Sequence, residues 1–185
     1  MKKQLISLIS LALLTLVACK QPVEVEETES PDYAAFDKKV EVVRAFYQAH
    51  SDENLEAQKA MISDTLKWSP PDYNGNKWYG KEDFISSLKS YHDGFDDIQF
   101  TSGVTMPDTL VNGYWAGSIY PKEDANINPN VIRVYGTWTA THTESGKKIG
   151  VKYFSLTTVN ADGKIVQASD YWDVNGLAAQ IASEE

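Results

Sequence analysis

The chain has 185 residues and a formal net charge of −9, with 17 Lys and Arg against 26 Asp and Glu. That acidic balance, with Arg44 and Arg133 as its only arginines, offers no basic stripe and excludes a nucleic-acid binder that tracks phosphates. A single cysteine, Cys19, cannot form an internal disulfide, so the fold must stand on its apolar core.

The chain opens on "MKK", followed by the uncharged apolar run "LISLISLALLTLVA" from Leu5 to Ala18. The run has the length of a signal-peptide apolar region and is too short to span a bilayer as a helix. It ends in Leu16-Val17-Ala18-Cys19, which resembles the lipobox of bacterial lipoproteins. The resemblance implies cleavage before Cys19 and acylation of its thiol and amine, and several acyl chains on one residue give lasting membrane anchorage. Lys20 in the following position implies the outer membrane. The next stretch, "KQPVEVEETESPD", is charged and carries two prolines, so it reads as an extended tether that buries no core. The expected organisation is a lipoprotein signal peptide over 1–18, a lipidated cysteine and acidic tether over 19–34, and one domain over 35–185, the size of a single hydrophobic core.

Within the domain, "YAAFDKKVEVVRAFYQAH" places Phe36, Val40, Val43 and Tyr47 on one helical face. Ser51 and Asp52 are candidate N-caps of a short second helix. "TLKWSPPDYNGN" predicts a short strand broken by Pro70 and Pro71, then a loop. A third helix is predicted from about Lys81 to His92, between Gly80 and Gly94. After Asp97 the chain turns to strands: "DIQFTSGVTM", "TLVNGYWAGSIY", "NVIRVYGTWTATH", "KKIGVKYFSLTTV" and "KIVQASDYWDV", the last three separated by "ESGK" and "NADGK". "LAAQIAS" supplies at most a short final helix. Helices first and an antiparallel sheet afterwards predict an α+β domain.

That order, closed by "NADGKIVQASDYWDVNGLAAQI", resembles the NTF2-like superfamily and, within it, SnoaL-like domains. The residues carrying the resemblance are Asp162-Gly163-Lys164-Ile165, Tyr171-Trp172-Asp173, Leu177 and Gln180-Ile181, with "WYGKEDFISSL" earlier in the chain. The resemblance covers about residues 35 to 182. It implies a cone in which N-terminal helices pack on a curved antiparallel sheet, with ligands bound inside. Members include isomerases, cyclases, an epoxide hydrolase, dehydratases and association modules that dimerise through the sheet, so the fold by itself names no reaction.

Register gives an argument that stands apart from the family. With Ser145-Gly146 and Asp162-Gly163 as two-residue turns, Trp138 faces Tyr153, which faces Trp172, and Gly136, Ser155 and Asp170 form the next row. One face then collects Ile132, Val134, Trp138, Ala140, His142, Ile149, Val151, Tyr153, Val159, Val166, Ala168 and Trp172, with Asp170 among them. The other face carries Arg133, Tyr135, Phe154, Tyr171 and Asp173 with several threonines. A three-residue turn in either hairpin would swap the faces beyond it. The first face is the more apolar and is expected to meet the helices.

Burial of Asp170 on that face raises its pKa toward the range useful to a general acid or base. Ketosteroid isomerase, a member of the superfamily, works with a carboxylate base in an apolar site. Asp170 is therefore the candidate catalytic residue, with ligand contact and a purely structural hydrogen-bonding role as its alternatives. Trp138, His142, Tyr153, Ser155 and Trp172 are the candidate ligand-binding residues. Asp173 is read as a cap of the last helix or a partner for lysine, His50 as a helix C-terminal histidine, and Trp68, Trp78 and Trp115 as core or rim packing.

The histidines, His50, His92 and His142, show no ligand spacing, and neither a Gly-rich phosphate loop nor G-x-S-x-G occurs, so neither metal nor cofactor is expected. The leading expectation is an envelope lipoprotein whose pocket binds a small, largely apolar molecule. The alternatives are a proton-transfer enzyme of isomerase, cyclase or dehydratase type using Asp170, and an association module that pairs as a homodimer.

Overall fold

The structure, a computed structural model, describes residues 33–117 and 130–184; the N-terminal segment with Cys19 lies outside them. Helix α1 (Tyr33–Ser51) buries Phe36, Val40, Val43, Phe46 and Tyr47, the stripe its 3.6-residue period brings to one side. Glu53, in left-handed backbone at φ 51°, turns the chain. Asn54, rather than Ser51 or Asp52, then caps α2 (Leu55–Met61), its Oδ1 accepting from the amide of Ala57 at 3.0 Å. Strand β1 (Ile62–Ser69) stops at Pro70, which has no amide proton to continue a ladder. Helix α3 (Lys81–Gly94) follows, with Asp83 accepting from the amide of Gly80 at its start and Phe84 and Leu88 on its buried side.

The remaining elements are β2 (Phe95–Ser102), β3 (Val104–Met106), β4 (Thr109–Val111), β5 (Tyr114–Ala116), β6 (Val131–His142), β7 (Lys148–Val159), β8 (Ile165–Tyr171) and α4 (Val174–Ala182). The main sheet runs β1-β8-β7-β6-β2, with β5 on the first half of β6 and β2 on the second. It is mixed rather than wholly antiparallel, because β1 lies parallel to β8, with Trp68 beside Ala168. A parallel neighbour needs a long crossover, and almost the whole domain lies between these two strands. Strands β3 and β4 form a separate small hairpin.

The β6–β7 hairpin differs from the two-residue reading. His142 and Lys147 close a four-residue loop, with Gly146 in left-handed backbone, so Gly136 faces Tyr153 and Trp138 faces Val151. The slip is two residues, an even number, and every side chain keeps its face. The β7–β8 loop is of three residues, Ala161 to Gly163, closed between Asn160 and Lys164. By itself it would invert β8. A bulge at Val166 restores the parity, so Ser155 lies opposite Asp170 and Thr157 opposite Ala168. The correction is local: Ile165, not Val166, is the buried partner of Val159.

The apolar face of the sheet packs on the helices. One cluster joins Val43, Phe46 and Tyr47 of α1 and Phe84 and Leu88 of α3 to Ile132 and Val134 of β6, Ile165 and Ala168 of β8, and Trp68 of β1. Gly136 makes room for the ring of Phe100 on this face, since a Cβ there would meet that ring at 2.4 Å. The freed ring sits 4.7 Å from both Tyr47 and Trp138. Helix α4 is pinned to β7 by the Gln180 amide, which donates to the carbonyl of Gly150 and accepts from its amide, each at 3.0 Å.

Candidate functional site

Between the helices and the apolar face of the sheet lies a cavity of about 120 Å³. Phe46, Tyr47 and His50 of α1 line it, with Phe84, Leu88 and Tyr91 of α3, Trp138 of β6, Val151 and Tyr153 of β7, and Trp172 and Leu177 at the far end. Among the described residues, Asp170 is the one acidic side chain in the lining, and no lysine or arginine lines it.

Asp170 reaches this position because residues alternate along β8: Ala168 and Asp170 face inward, while Gln167 and Tyr171 face out. It is 8 % exposed. Its Oδ2 accepts from the indole Nε1 of Trp68 at 2.8 Å and its Oδ1 from the phenol of Tyr153 at 2.6 Å. Tyr47 donates onward to the Tyr153 oxygen at 3.4 Å. Burial pushes the Asp170 carboxyl above the ordinary carboxylate range, and the hydrogen bonds from Tyr153 and Trp68 hold back part of that rise. The phenols respond in the same sense. Burial, then the charge of Asp170, raises Tyr47 and Tyr153, and takes Tyr91 to about 12. All remain neutral hydrogen-bond donors at ordinary pH.

A second pair, half-buried, stands at the wall through His50. His50 Nδ1 and His92 Nε2 are 2.8 Å apart, joining the C-terminal turns of α1 and α3. The His50 ring also stands edge-on to Trp138 at 5.1 Å. Burial and then the neighbouring His92 lower His50 to about 4, against a small opposing effect of the Gln58 amide. Gln58 is fully buried, and neither of its amide atoms has a partner at hydrogen-bonding geometry. His92 is lowered as well, chiefly by burial. The helix-dipole reading of His50 is thus replaced by a neutral, inward-facing ring.

No family model matches the chain, and no curated protein does. Solved structures do. IdmH of Streptomyces antibioticus, assigned provisionally to the polyketide cyclases, superposes with a TM-score of 0.58 at 13% identity, over 78% of this chain and 99% of that one. An NTF2-like protein of unknown function from Burkholderia pseudomallei gives 0.57 at 16% identity, over 79% of this chain and 98% of that one. The fold is NTF2-like. An epoxide hydrolase of the LEH-like type from M. tuberculosis also superposes, with a TM-score of 0.54 at 14% identity over 78% of this chain and 90% of that one.

Within this NTF2-like cone the residues singled out in the sequence separate into groups. Asp170, Trp138, Tyr153 and Trp172 all line the cavity. Ser155 lies deeper, 1 % exposed and hydrogen-bonded to Thr157 at 3.1 Å. His142 does not reach the cavity: it sits at the end of β6, where Nδ1 meets the Ser145 hydroxyl at 2.8 Å and the ring packs on Phe95. The four-residue loop explains this, because it keeps His142 at the hairpin end and gives it a local partner. Asp173 caps α4, accepting from the amide of Gly176 at 2.8 Å. Arg133 stands on the opposite face, between Trp115 and Leu156 in register, and does not line the cavity.

Among the lining residues outside the sequence reading of the site, Trp68 and His50 bear most on its chemistry. Trp68 was assigned to packing, and only the parallel pairing of β1 with β8 brings its indole to Asp170. His50 carried a legible signal, since it continues the buried stripe of Val43 and Tyr47 at helical spacing.

Proposed function

We propose that this domain binds a small, largely apolar molecule in the cavity above Asp170 and is held at the outer membrane through a lipid anchor on Cys19. The observation that carries the reading is Asp170: a buried carboxylate, held by two neutral donors, within aromatic and aliphatic walls. Such pockets are mostly apolar with a few placed polar groups that orient the ligand. Native mass spectrometry of the purified protein tests it; a retained small molecule is expected, and a cavity that retains none and takes up no apolar probe overturns it. For the anchor, Cys19→Ser should release the protein from membranes, and continued membrane association would sink that part.

A second reading is proton transfer with Asp170 as base. It is favoured by the raised carboxyl and by Tyr153, which donates to it at 2.6 Å and stands beside any group Asp170 deprotonates. Asp170→Asn should then abolish turnover of a substrate while leaving its binding in place. Self-association is favoured by the outer face of the sheet, where Trp115, Tyr135, Phe154 and Tyr171 pack as a row of rings 4.7 to 5.6 Å apart. Trp115 and Tyr171 at its ends are 38% and 52% exposed. Sedimentation of the wild type against Tyr171→Asp distinguishes a dimer that falls apart from a monomer that does not change.

A further inference from the structure

We infer that the cavity selects a compact organic cation, an alkylated ammonium ion, seated between the Asp170 carboxylate and the faces of the surrounding aromatic rings. The inference rests on the ligand-binding reading above and gives its ligand a charge.

Charge balance is the first reason. Among the described residues Asp170 is the one acid in the lining, and no lysine or arginine of that set lines the cavity to neutralise it. Its two donors, the Trp68 indole and the Tyr153 phenol, are neutral: they satisfy lone pairs and leave the charge uncancelled. His50, the histidine of the described lining, is held neutral by burial. A buried charge without a partner is costly, and it escapes either by taking a proton or by taking a cation. The upward displacement of the Asp170 carboxyl is the first route; a bound ammonium supplies the second.

The walls are the second reason. Trp68, Tyr91, Trp138 and Trp172 border the space around Asp170, and ring faces attract cations through their quadrupole. Hydrogen-bond acceptors are scarce by comparison. Both carboxylate oxygens already accept one donor, and the other polar lining groups are few, Ser87 and Thr139 among them. A primary ammonium brings three N–H groups to satisfy. A quaternary or tertiary methylated ammonium brings none or one, and so suits a wall of rings with a single carboxylate. Size sets a limit: a cavity of about 120 Å³, against the roughly 150 Å³ that accepts a benzene ring, admits only a compact ion. The net charge of −9 adds a long-range field that draws cations toward the surface.

The test compares choline with its neutral carbon isostere, 3,3-dimethylbutan-1-ol, by calorimetry on the full chain in detergent. At pH 8 choline is expected to bind at least tenfold more tightly. The preference should shrink as pH falls through the Asp170 pKa, because cation and proton compete for one carboxylate; Tyr47, Tyr91 and Tyr153, which also face it, stay neutral throughout that range. At the acid end of the range His50, lowered to about 4, adds repulsion of the same sign. Asp170→Asn should erase the preference and keep the alcohol bound. Since that variant could fail to fold, the wild-type pH series stands as an independent arm. Equal or tighter binding of the alcohol overturns the cation and leaves the apolar pocket standing. Binding of neither probe overturns both. A preference for choline that persists at pH 8 in a folded Asp170→Asn variant removes the carboxylate from the recognition and also overturns the inference.

Discussion

The indole of Trp68 donates to the carboxylate of Asp170 across 2.8 Å, joining two residues 102 positions apart in the chain. The contact ties the parallel edge strand β1 to the inward row of β8 and fixes one oxygen of the carboxylate in the wall. Because the acceptor is buried, loss of this donor cannot be made good by solvent.

Trp68→Phe keeps the ring and removes the N–H. It should destabilise the protein by about 1.5–3 kcal/mol at pH 8, the range for a hydrogen bond to a charged group. The Asp170 pKa should rise further, since one of the bonds that hold it down is gone. Urea unfolding measures the first effect and carboxyl NMR the second; an unchanged pKa would show that the indole does not stabilise the anion.

Asp170→Asn removes a titration whose sign is set by burial. A carboxyl with a raised pKa binds its proton more tightly in the native state, so the stability it contributes is present at low pH. That contribution is lost as pH rises from the unfolded value near 4 through the folded one. The variant should lack this decline, and its stability relative to wild type should improve as pH rises across that window. Denaturant midpoints at several pH values decide the matter, and parallel curves would refute it.

His50 acts in the opposite direction. Its pKa is lowered from 6.5 to about 4, so the unfolded chain takes up a proton that the native state refuses. Stability should fall as pH drops from 6.5 toward 4, by about 3 kcal/mol at 1.36 kcal/mol per pKa unit. His92, lowered too, adds to the same slope. His50→Gln should flatten much of it while retaining a polar partner for His92. Thermal unfolding from pH 4 to pH 7 is the measurement.

Gly136→Ala places a methyl group against Phe100 and the carbonyl of Thr101, at 2.4 and 2.6 Å from ideal geometry. The carbonyl belongs to the ladder with β2, so yielding costs sheet hydrogen bonds. A loss of about 1–3 kcal/mol is expected, the range for overpacking. The same change should shift Phe100 against Trp138 and alter tryptophan emission. Combined with Phe100→Ala, part of the loss should be recovered, and strict additivity would mean that the two positions do not share the strain.

Much of this was open to reading from local pattern. The stripe Phe36, Val40, Val43, Tyr47 marked α1 and its buried side. Asp173 before "NGLAAQI" marked a cap, and β-branched and aromatic runs marked β6 to β8. The assignment of Asp170 to the apolar face survived two wrong loop lengths. One error was even and harmless, and the other was odd and cancelled by the bulge at Val166. His142 shows the limit: its face was right, but its distance along the strand was not, because a two-residue slip preserves parity and changes position.

The sequence by itself determined the α+β order, the face of most strand residues and the cap of α4, all of which depend on spacings of a few residues and on backbone periods of 3.6 and 2. Only the tertiary structure decided what Asp170 meets. Its partner Trp68 arrives through a parallel pairing that no turn residue announces, and Tyr47 and the His50–His92 pair arrive through helix packing. Those contacts follow from how the helices and the sheet share one apolar core. Sharing a core is a property of the whole chain, so no short stretch records it.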